Sequence, residues 1–266
     1  MSVLLVIPAR YASSRYPGKP LVELTGVSGI AKTLIQRSWD AAKSVRGVDR
    51  VVVATDDARI QAAAEGFGAD VVLTSETCRN GTERCAEALE VLGGGYDFVV
   101  NLQGDAPLTP HWFVEDLIDG LRGAPGADVA TPVLVCDGGA HRSFLEDRAA
   151  GRVGVTSSVF ANDKTALYFS KEVIPYSGHT YPDDAPTPVY HHVGVYAYRP
   201  DALHVYKGWG EGTLERLEGL EQLRFLENHR QVLCVEVEAK GRSFWELNNP
   251  EDVQRIETMM QEMNQI

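Results

Sequence analysis

The sequence predicts an α/β protein built on a mainly parallel sheet, and three observations carry that reading. Short apolar runs alternate with longer amphipathic ones through the first half of the chain. The short runs are apolar throughout rather than alternately polar, as strands covered on both faces must be. With 266 residues, 44% hydrophobic and 23% charged, the chain has the composition of an ordinary globular protein that can bury a full core.

Taken in order, Val3–Ile7 reads as the first buried strand and Ile30–Val45 as a helix, because its apolar residues recur at helical spacing. Arg50–Thr55 (RVVVAT) is a β-branched strand, and Asp56 or Asp57 offers a cap for a helix running to Gly66. Ala69–Thr74 is a strand, Gly81–Leu92 a helix, and Asp97–Leu102 (DFVVNL) another buried strand leading to QGDAP and a helix over 110–121. Strands separated by helices imply parallel βαβ crossovers.

After GAPGA (123–127) the pattern changes. Val129–Cys136, Val153–Ala161, Ala166–Ser170 and Tyr190–Tyr198 read as strands with few helices between them, and 176–190, rich in Pro, Asp and Gly, as a loop. The chain thus reads as a single domain, 1–266, in which 137–198 is an inserted arm of antiparallel character. Leu214–Asn228 and Pro250–Met263 are amphipathic helices flanking a strand at Val232–Val237.

The formal charge of -12 argues against a nucleic-acid partner, whose phosphates demand a basic face. No stretch approaches bilayer length, and Cys78, Cys85, Cys136 and Cys234 are scattered without a CxxC pair. A reduced, cytoplasmic protein is the expectation.

Against that acidic background the loop after the first strand is unusual. ARYASSRYPGK gathers Arg10, Arg15 and Lys19 within ten residues at a strand's carboxyl end, where open α/β sheets bind ligands. Two guanidinium groups can clamp phosphate oxygens in bidentate fashion, with Lys19 as a mobile point charge; the loop is read as a triphosphate cradle. The plainer reading is a solvated loop paired with surface carboxylates. Neither GxGxxG nor GxxxxGK[ST] is present, so no dinucleotide fold or P-loop is supported. In QGDAP (103–107), Asp105 sits at the end of another buried strand, facing the same crevice. A carboxylate there suits Mg²⁺, although Gly104-Asp105 is equally good turn chemistry.

IPARYASSRYPGKPL, RNGTER (79–84), VNLQGDAP, ALYFSKEVIP (166–175), HHVGVYAYR (191–199) and LEGLEQLRFLE (217–227) occur in this order. Together they closely resemble the 3-deoxy-manno-octulosonate (Kdo) cytidylyltransferases. That resemblance implies a nucleotide-diphospho-sugar transferase-like, Rossmann-like fold with a dimerisation arm at 137–198, hence a homodimer. It also implies the reaction of CTP with Kdo, giving CMP-Kdo and pyrophosphate with Mg²⁺. By the same resemblance Arg10, Ser13, Arg15 and Lys19 hold the triphosphate, and Asn80, Gly81, Thr82 and Arg84 grip the nucleotide. Gln103, Lys171, His192, Tyr196, Glu221 and Gln222 match acceptor-sugar positions, and Asp105 and Asn248 match the metal positions. Arg10, Arg15, Lys19 and Asp105 are the candidate catalytic residues. Each has a plainer alternative: Asn80 as a helix N-cap with Glu83 three residues on, His192 as a satisfied core histidine, Glu221 as a solvated helix charge. Adjacent histidines on a strand point to opposite faces, so His191-His192 is a poor zinc site.

Four departures bear on the acceptor. QGDEP becomes QGDAP through Ala106; the arginine after ALYFS is Lys171; GVTSSV (154–159) lacks the family's lysine; and FWELNNPEDV puts Asn248 where the family has a metal-binding aspartate. Asn249 and Pro250 still read as N-cap and first helical residue. The metal is then expected either to be held more weakly, mainly by Asp105 and CTP phosphates, or to use another carboxylate such as Glu246. An 8-amino analogue of Kdo, sialic acid or a phosphonate remains open as acceptor, as does a CTP-binding relative without turnover.

Overall fold

The protein is described by a computed structural model covering residues 1–13, 15–153, 155–242 and 245–263. Ser14 of the opening loop, Gly154 of GVTSSV, and Ser243 and Phe244 before the C-terminal motif lie outside the described residues. The chain divides into two compact units: Met1–Glu115 with Ala239–Ile266, and Asp116–Glu238.

The first unit holds β1 (Val3–Ala9), the hairpin β2 (Glu23–Thr25) and β3 (Ala31–Thr33), α1 (Leu34–Lys43), β4 (Arg50–Thr55), α2 (Ala58–Gly66), β5 (Asp70–Leu73), α3 (Gly81–Val91) and β6 (Phe98–Leu102). Its sheet runs β5-β4-β1-β6 with every pairing parallel, as the βαβ alternation required. All seven residues of β1 and all five of β6 are buried, which explains why β1 is apolar without alternation and why β6 is so but for Asn101. Asp57 caps α2, its carboxylate accepting from the Arg59 amide at 2.9 Å. The expected helix at 30–45 starts late: residues 31–33 pair with β2, and Thr33 caps α1 by accepting from the Gln36 amide. The next helix, α4 (His111–Gly123), leads into the second unit.

The second unit contains β7 (Val129–Asp137), α5 (Gly138–Ala149), β8 (Ser157–Phe160), β9 (Ala166–Ser170), β10 (Pro186–His192), β11 (Val195–Tyr198), α6 (Pro200–Gly208), α7 (Thr213–Glu218), α8 (Leu223–Glu227) and β12 (Val232–Glu236). Antiparallel pairing dominates: β7 with β10 and β11, and β8 with β9 and β10; only β12 joins β7 in parallel. Three expectations differ. A helix, α5, fills part of the stretch read as nearly helix-free, its start capped by the Asp137 carboxylate on the Ala140 amide at 2.7 Å. The run Tyr190–Tyr198 is two strands along the same β7, interrupted where the Val195 amide turns back to the Val193 carbonyl at 2.7 Å, while the preceding strand begins earlier, at Pro186. The helix expected over 214–228 is two short helices, because Gly219 closes α7 in the left-handed conformation (φ 63°).

The chain then returns to the first unit at Ala239 and ends in α9 (Asp252–Glu262). Leu247, Ile256 and Met260 join Leu24, Leu34 and Leu108 in one buried cluster, so this C-terminal segment is packed, not draped. The helix begins at Asp252 rather than after an Asn249 cap. The Asp252 carboxylate takes the amides of Asn248 (2.9 Å) and Asn249 (2.7 Å) and the Trp245 indole N–H (2.8 Å), tying residues 245–249 to the helix start. No helix among the described residues is long and apolar enough to cross a membrane.

Candidate active site

The opening loop leaves β1 at Arg10, which is exposed, and closes on itself. The amides of Ser13 and Gly18 both donate to the Tyr11 carbonyl, at 3.0 and 2.9 Å, and the Ser13 hydroxyl accepts from the Tyr16 amide. Gly18 adopts φ 74° against the Tyr11 ring, where an added Cβ would lie 3.0 Å from ring atoms; both conformation and space call for glycine. The Arg59 guanidinium lies over that ring, its carbon 3.3 Å from the centroid.

The turn aims two cations at one place. The Lys19 ammonium is paired with the Asp105 carboxylate and donates to the Leu247 carbonyl at 3.1 Å. The Arg15 guanidinium donates to the Asn248 side-chain oxygen at 2.7 Å. Asp105 is held in turn: the Leu247 amide donates to its carbonyl at 2.9 Å. Gly104, just before it, passes so close to β1 that an added Cβ would meet the Pro8 carbonyl oxygen at 2.7 Å. Ser38 donates to the Gly104 carbonyl at 3.0 Å. Residues separated by more than two hundred positions thus form one charged cluster of Arg15, Lys19, Asp105, Glu246 and Asn248.

Glu246 is the member that spacing alone left undecided. Its carboxyl is pushed up to about 7, first because packing strips its hydration and then because Asp105 opposes a second negative charge; the Asn248 side chain, Lys19 and Arg15 pull the other way. The donors gathered here, two carboxylates and an amide oxygen, are the hard oxygen ligands that Mg²⁺ takes. No group of three or more His, Cys, Asp or Glu forms a metal shell among the described residues. That fits a cation held by one or two carboxylates together with nucleotide phosphates.

The RNGTER segment starts α3. Asn80 caps it, accepting from the Glu83 amide at 2.9 Å, so the helix-start reading of this residue holds. Gly81 lies against β6 and its exit: an added Cβ would come within 3.0 Å of the amide nitrogens of Asn101 and Gln103. Thr82 is buried, and Arg84, 2% exposed, binds Thr74 and the Asp56 carboxylate (2.7 Å). Arg84 is therefore a strut between the ends of β4, β5 and α3, not a free cation of the cleft.

Lys171, His192, Tyr196, Glu221 and Gln222 all belong to the second unit. His192 and Tyr196 are buried side by side with ring centroids 5.6 Å apart. His192 Nε2 lies 2.9 Å from the Thr131 hydroxyl, and burial lowers its ring to about 3, so it stays neutral. His191 faces Phe144, as alternation on a strand requires, and burial lowers it to about 4. The Tyr196 hydroxyl donates to the Gln222 side-chain oxygen at 3.1 Å, while the Gln222 amide nitrogen, in a side chain 1% exposed, has no partner among the described residues. The break at Gly219 places Glu221 and Gln222 between α7 and α8, and Tyr206 donates to the Glu221 carbonyl at 3.1 Å. The Lys171 ammonium lies over Gly219, 2.9 Å from where a Cβ would stand, and the Lys171 amide donates to Glu218 at 2.9 Å.

Sequence reasoning overlooked Arg224 and Glu215. They form a buried bidentate pair, both hydrogen bonds 2.6 Å, that fixes α8 against α7. Their spacing across a glycine gave no periodic signal.

Residues 4–232 match the family described as cytidylyltransferase. Over 97% of this chain and 96% of the relative, the sequence is 43% identical to a 3-deoxy-manno-octulosonate cytidylyltransferase of Maricaulis maris. The chain belongs to the 3-deoxy-manno-octulosonate cytidylyltransferase family. A mitochondrial member from Arabidopsis thaliana is 40% identical over 98% of this chain and 84% of the relative. An 8-amino-3,8-dideoxy-manno-octulosonate cytidylyltransferase from Shewanella amazonensis is 39% identical over 98% and 99%. Among solved structures, a CMP:2-keto-3-deoxy-manno-octonic acid synthetase complexed with CTP superposes with a TM-score of 0.82 at 32% identity, covering 98% of each chain. The α/β expectation and the family resemblance both stand.

Proposed function

We propose that this cytidylyltransferase moves CMP from CTP to the anomeric hydroxyl of Kdo, releasing pyrophosphate. The observation that carries the reading is the convergence of Arg15 and Lys19 on Asp105 and Asn248 at the mouth of a parallel sheet. In a chain of charge -12, such local cations are what a polyanionic nucleotide requires.

The reaction is an in-line displacement at the α-phosphorus, which needs positioning and charge stabilisation more than a covalent nucleophile. Arg10, Ser13, Arg15 and Lys19 bind the triphosphate. Lys19 is tethered to Asp105 and Leu247 by contacts that a phosphate can exchange for, so its ammonium follows the negative charge as it accumulates on the leaving pyrophosphate. Asn80 and Gly81 present the start of α3, the positive end of its dipole, toward the nucleotide; Thr82 and Arg84 hold that start in place. Asp105 would hold Mg²⁺, which would supply screening of the phosphate charges and polarisation of the reacting oxygens. Gln103, Lys171, His192, Tyr196, Glu221 and Gln222 are assigned to the acceptor acid. Neutral His192 and the spare Gln222 amide donate to its hydroxyl groups, and Lys171 pairs with its carboxylate.

Pyrophosphate release from CTP tests this directly, with Kdo, 8-amino-Kdo, sialic acid and small phosphonates as parallel acceptors. Release with Kdo supports the proposal; preferred release with 8-amino-Kdo narrows the acceptor to that analogue. No release with any acid sugar overturns it. The homodimer assigned to the 137–198 arm is checked by light scattering, where a monomer at micromolar concentration refutes it.

A further inference from the structure

The stretch Trp245–Asn248 alternates its side chains. Leu247 is fully buried in the cluster with Leu24, Leu34 and Ile256. Trp245 packs on the same cluster, whereas Glu246 and Asn248 between and after them are only partly buried and their side chains are hydrogen-bonded to each other. Glu246 falls within electrostatic reach of Asp105, Lys19 and Arg15, so two carboxylates and two cations share a single small volume.

The two positions of this pair differ in what they can offer. Asn248 is neutral, and its oxygen is already engaged by Arg15 at 2.7 Å. Glu246 is ionisable and has two oxygens, of which Asn248 uses part. Two carboxylates at close quarters repel unless a cation is near both; the Lys19 ammonium is bonded to Asp105 and to the Leu247 carbonyl, and its charge also acts on Glu246. Once Lys19 transfers to nucleotide phosphate, the carboxylate pair is left facing a vacated position suited to a small hard cation.

We propose that Glu246 is the second carboxylate for the divalent cation that accompanies CTP, opposite Asp105, and that Asn248 serves to orient Arg15 and Glu246. The anionic ligand is thereby moved two residues along the chain instead of being lost. This rests on the reading of the cluster as a CTP site.

Mn²⁺ is the probe, titrated by electron paramagnetic resonance against protein with CTP and no acceptor, so that no turnover is needed. Glu246→Gln is expected to weaken CTP-dependent Mn²⁺ binding at least about tenfold, with metal-free CTP binding retained, and Asn248→Asp in the same chain to restore it. Unchanged Mn²⁺ affinity in Glu246→Gln overturns the inference while leaving CTP-dependent uptake, and so the functional reading, in place. Wild-type protein that takes up neither CTP nor CTP-dependent Mn²⁺ overturns both. A crystal of the wild type with CTP and Mn²⁺ decides the matter without any variant: anomalous density bonded to Glu246 supports the assignment, and density on Asp105 away from Glu246 refutes it.

Discussion

Replacing Arg224 with methionine isolates what the LEGLEQLRFLE motif does. Arg224 is 1% exposed and Glu215 is 5% exposed; they are joined by two hydrogen bonds of 2.6 Å, and the guanidinium lies 4.2 Å from the Tyr206 ring centroid. Arg224→Met keeps the volume and much of the stem but leaves the Glu215 carboxylate buried, with the Gly212 amide at 3.3 Å still donating to it. An uncompensated buried charge of this kind costs about 3–5 kcal/mol, and the lost contact with Tyr206 adds about 1–2 kcal/mol. Part of the first figure is recovered because Glu215 can take up a proton. The double variant Glu215→Gln/Arg224→Met removes both charges and should regain most of the loss, since a buried pair adds little over an apolar replacement. Urea denaturation followed by circular dichroism measures all three proteins. The same single variant should raise KM for the acceptor while leaving CTP affinity near wild type, because the pair fixes the turn that bears Glu221 and Gln222. A loss below about 1 kcal/mol, or a double variant no more stable than the single, would refute the reasoning.

Arg15→Ala should lower kcat/KM for CTP by about 10²–10³, the scale of removing one preorganised charged donor, as read by pyrophosphate release; a change under threefold removes Arg15 from the phosphate site. Gly104→Ala forces a Cβ to 2.7 Å from the Pro8 carbonyl oxygen, so a stability loss of about 1–3 kcal/mol is expected together with weaker CTP binding as Asp105 is displaced, by thermal unfolding and calorimetry. Asp105→Asn should raise the Mg²⁺ concentration needed for half-maximal turnover more than it raises KM for CTP at saturating metal. The two buried histidines set an acid limit. Their folded values, about 4 for His191 and about 3 for His192, lie below the ordinary 6.5, so between these limits the unfolded chain binds more protons. Their contribution to stability is full above pH 6.5 and is lost progressively as the pH falls toward 4 and then 3. Unfolding free energies that stay flat from pH 6.5 to 4 would contradict this burial.

Much of the first unit was legible because its signals are local. β1, β4 and β6 announce themselves as runs of largely apolar residues without alternation, since a strand covered on both faces has no polar side, and Asp57 and Asn80 cap helices by contacts spanning three residues. The C-terminal cap and the second unit were read less well. The helix over 214–228 breaks at Gly219, and the start of α9 shifts to Asp252, where one carboxylate gathers three donors; these outcomes depend on contacts that periodicity does not register.

The amino-acid order by itself determined the α/β class, the parallel strand-helix alternation, the local excess of cations after β1 and the kinship with cytidylyltransferases, because each resides in neighbouring residues or in motif order. Tertiary structure alone decided which charges meet. Arg15 finds Asn248 across 233 positions and Lys19 finds Asp105 across 86, while Arg84, equally cationic on paper, is withdrawn into a pair with Asp56. Glu246 gains its place near Asp105 because Leu247, its neighbour, is drawn into the core and its backbone bonds Asp105 and Lys19. Electrostatic energy depends on distance and hydration, and neither exists until the chain has folded.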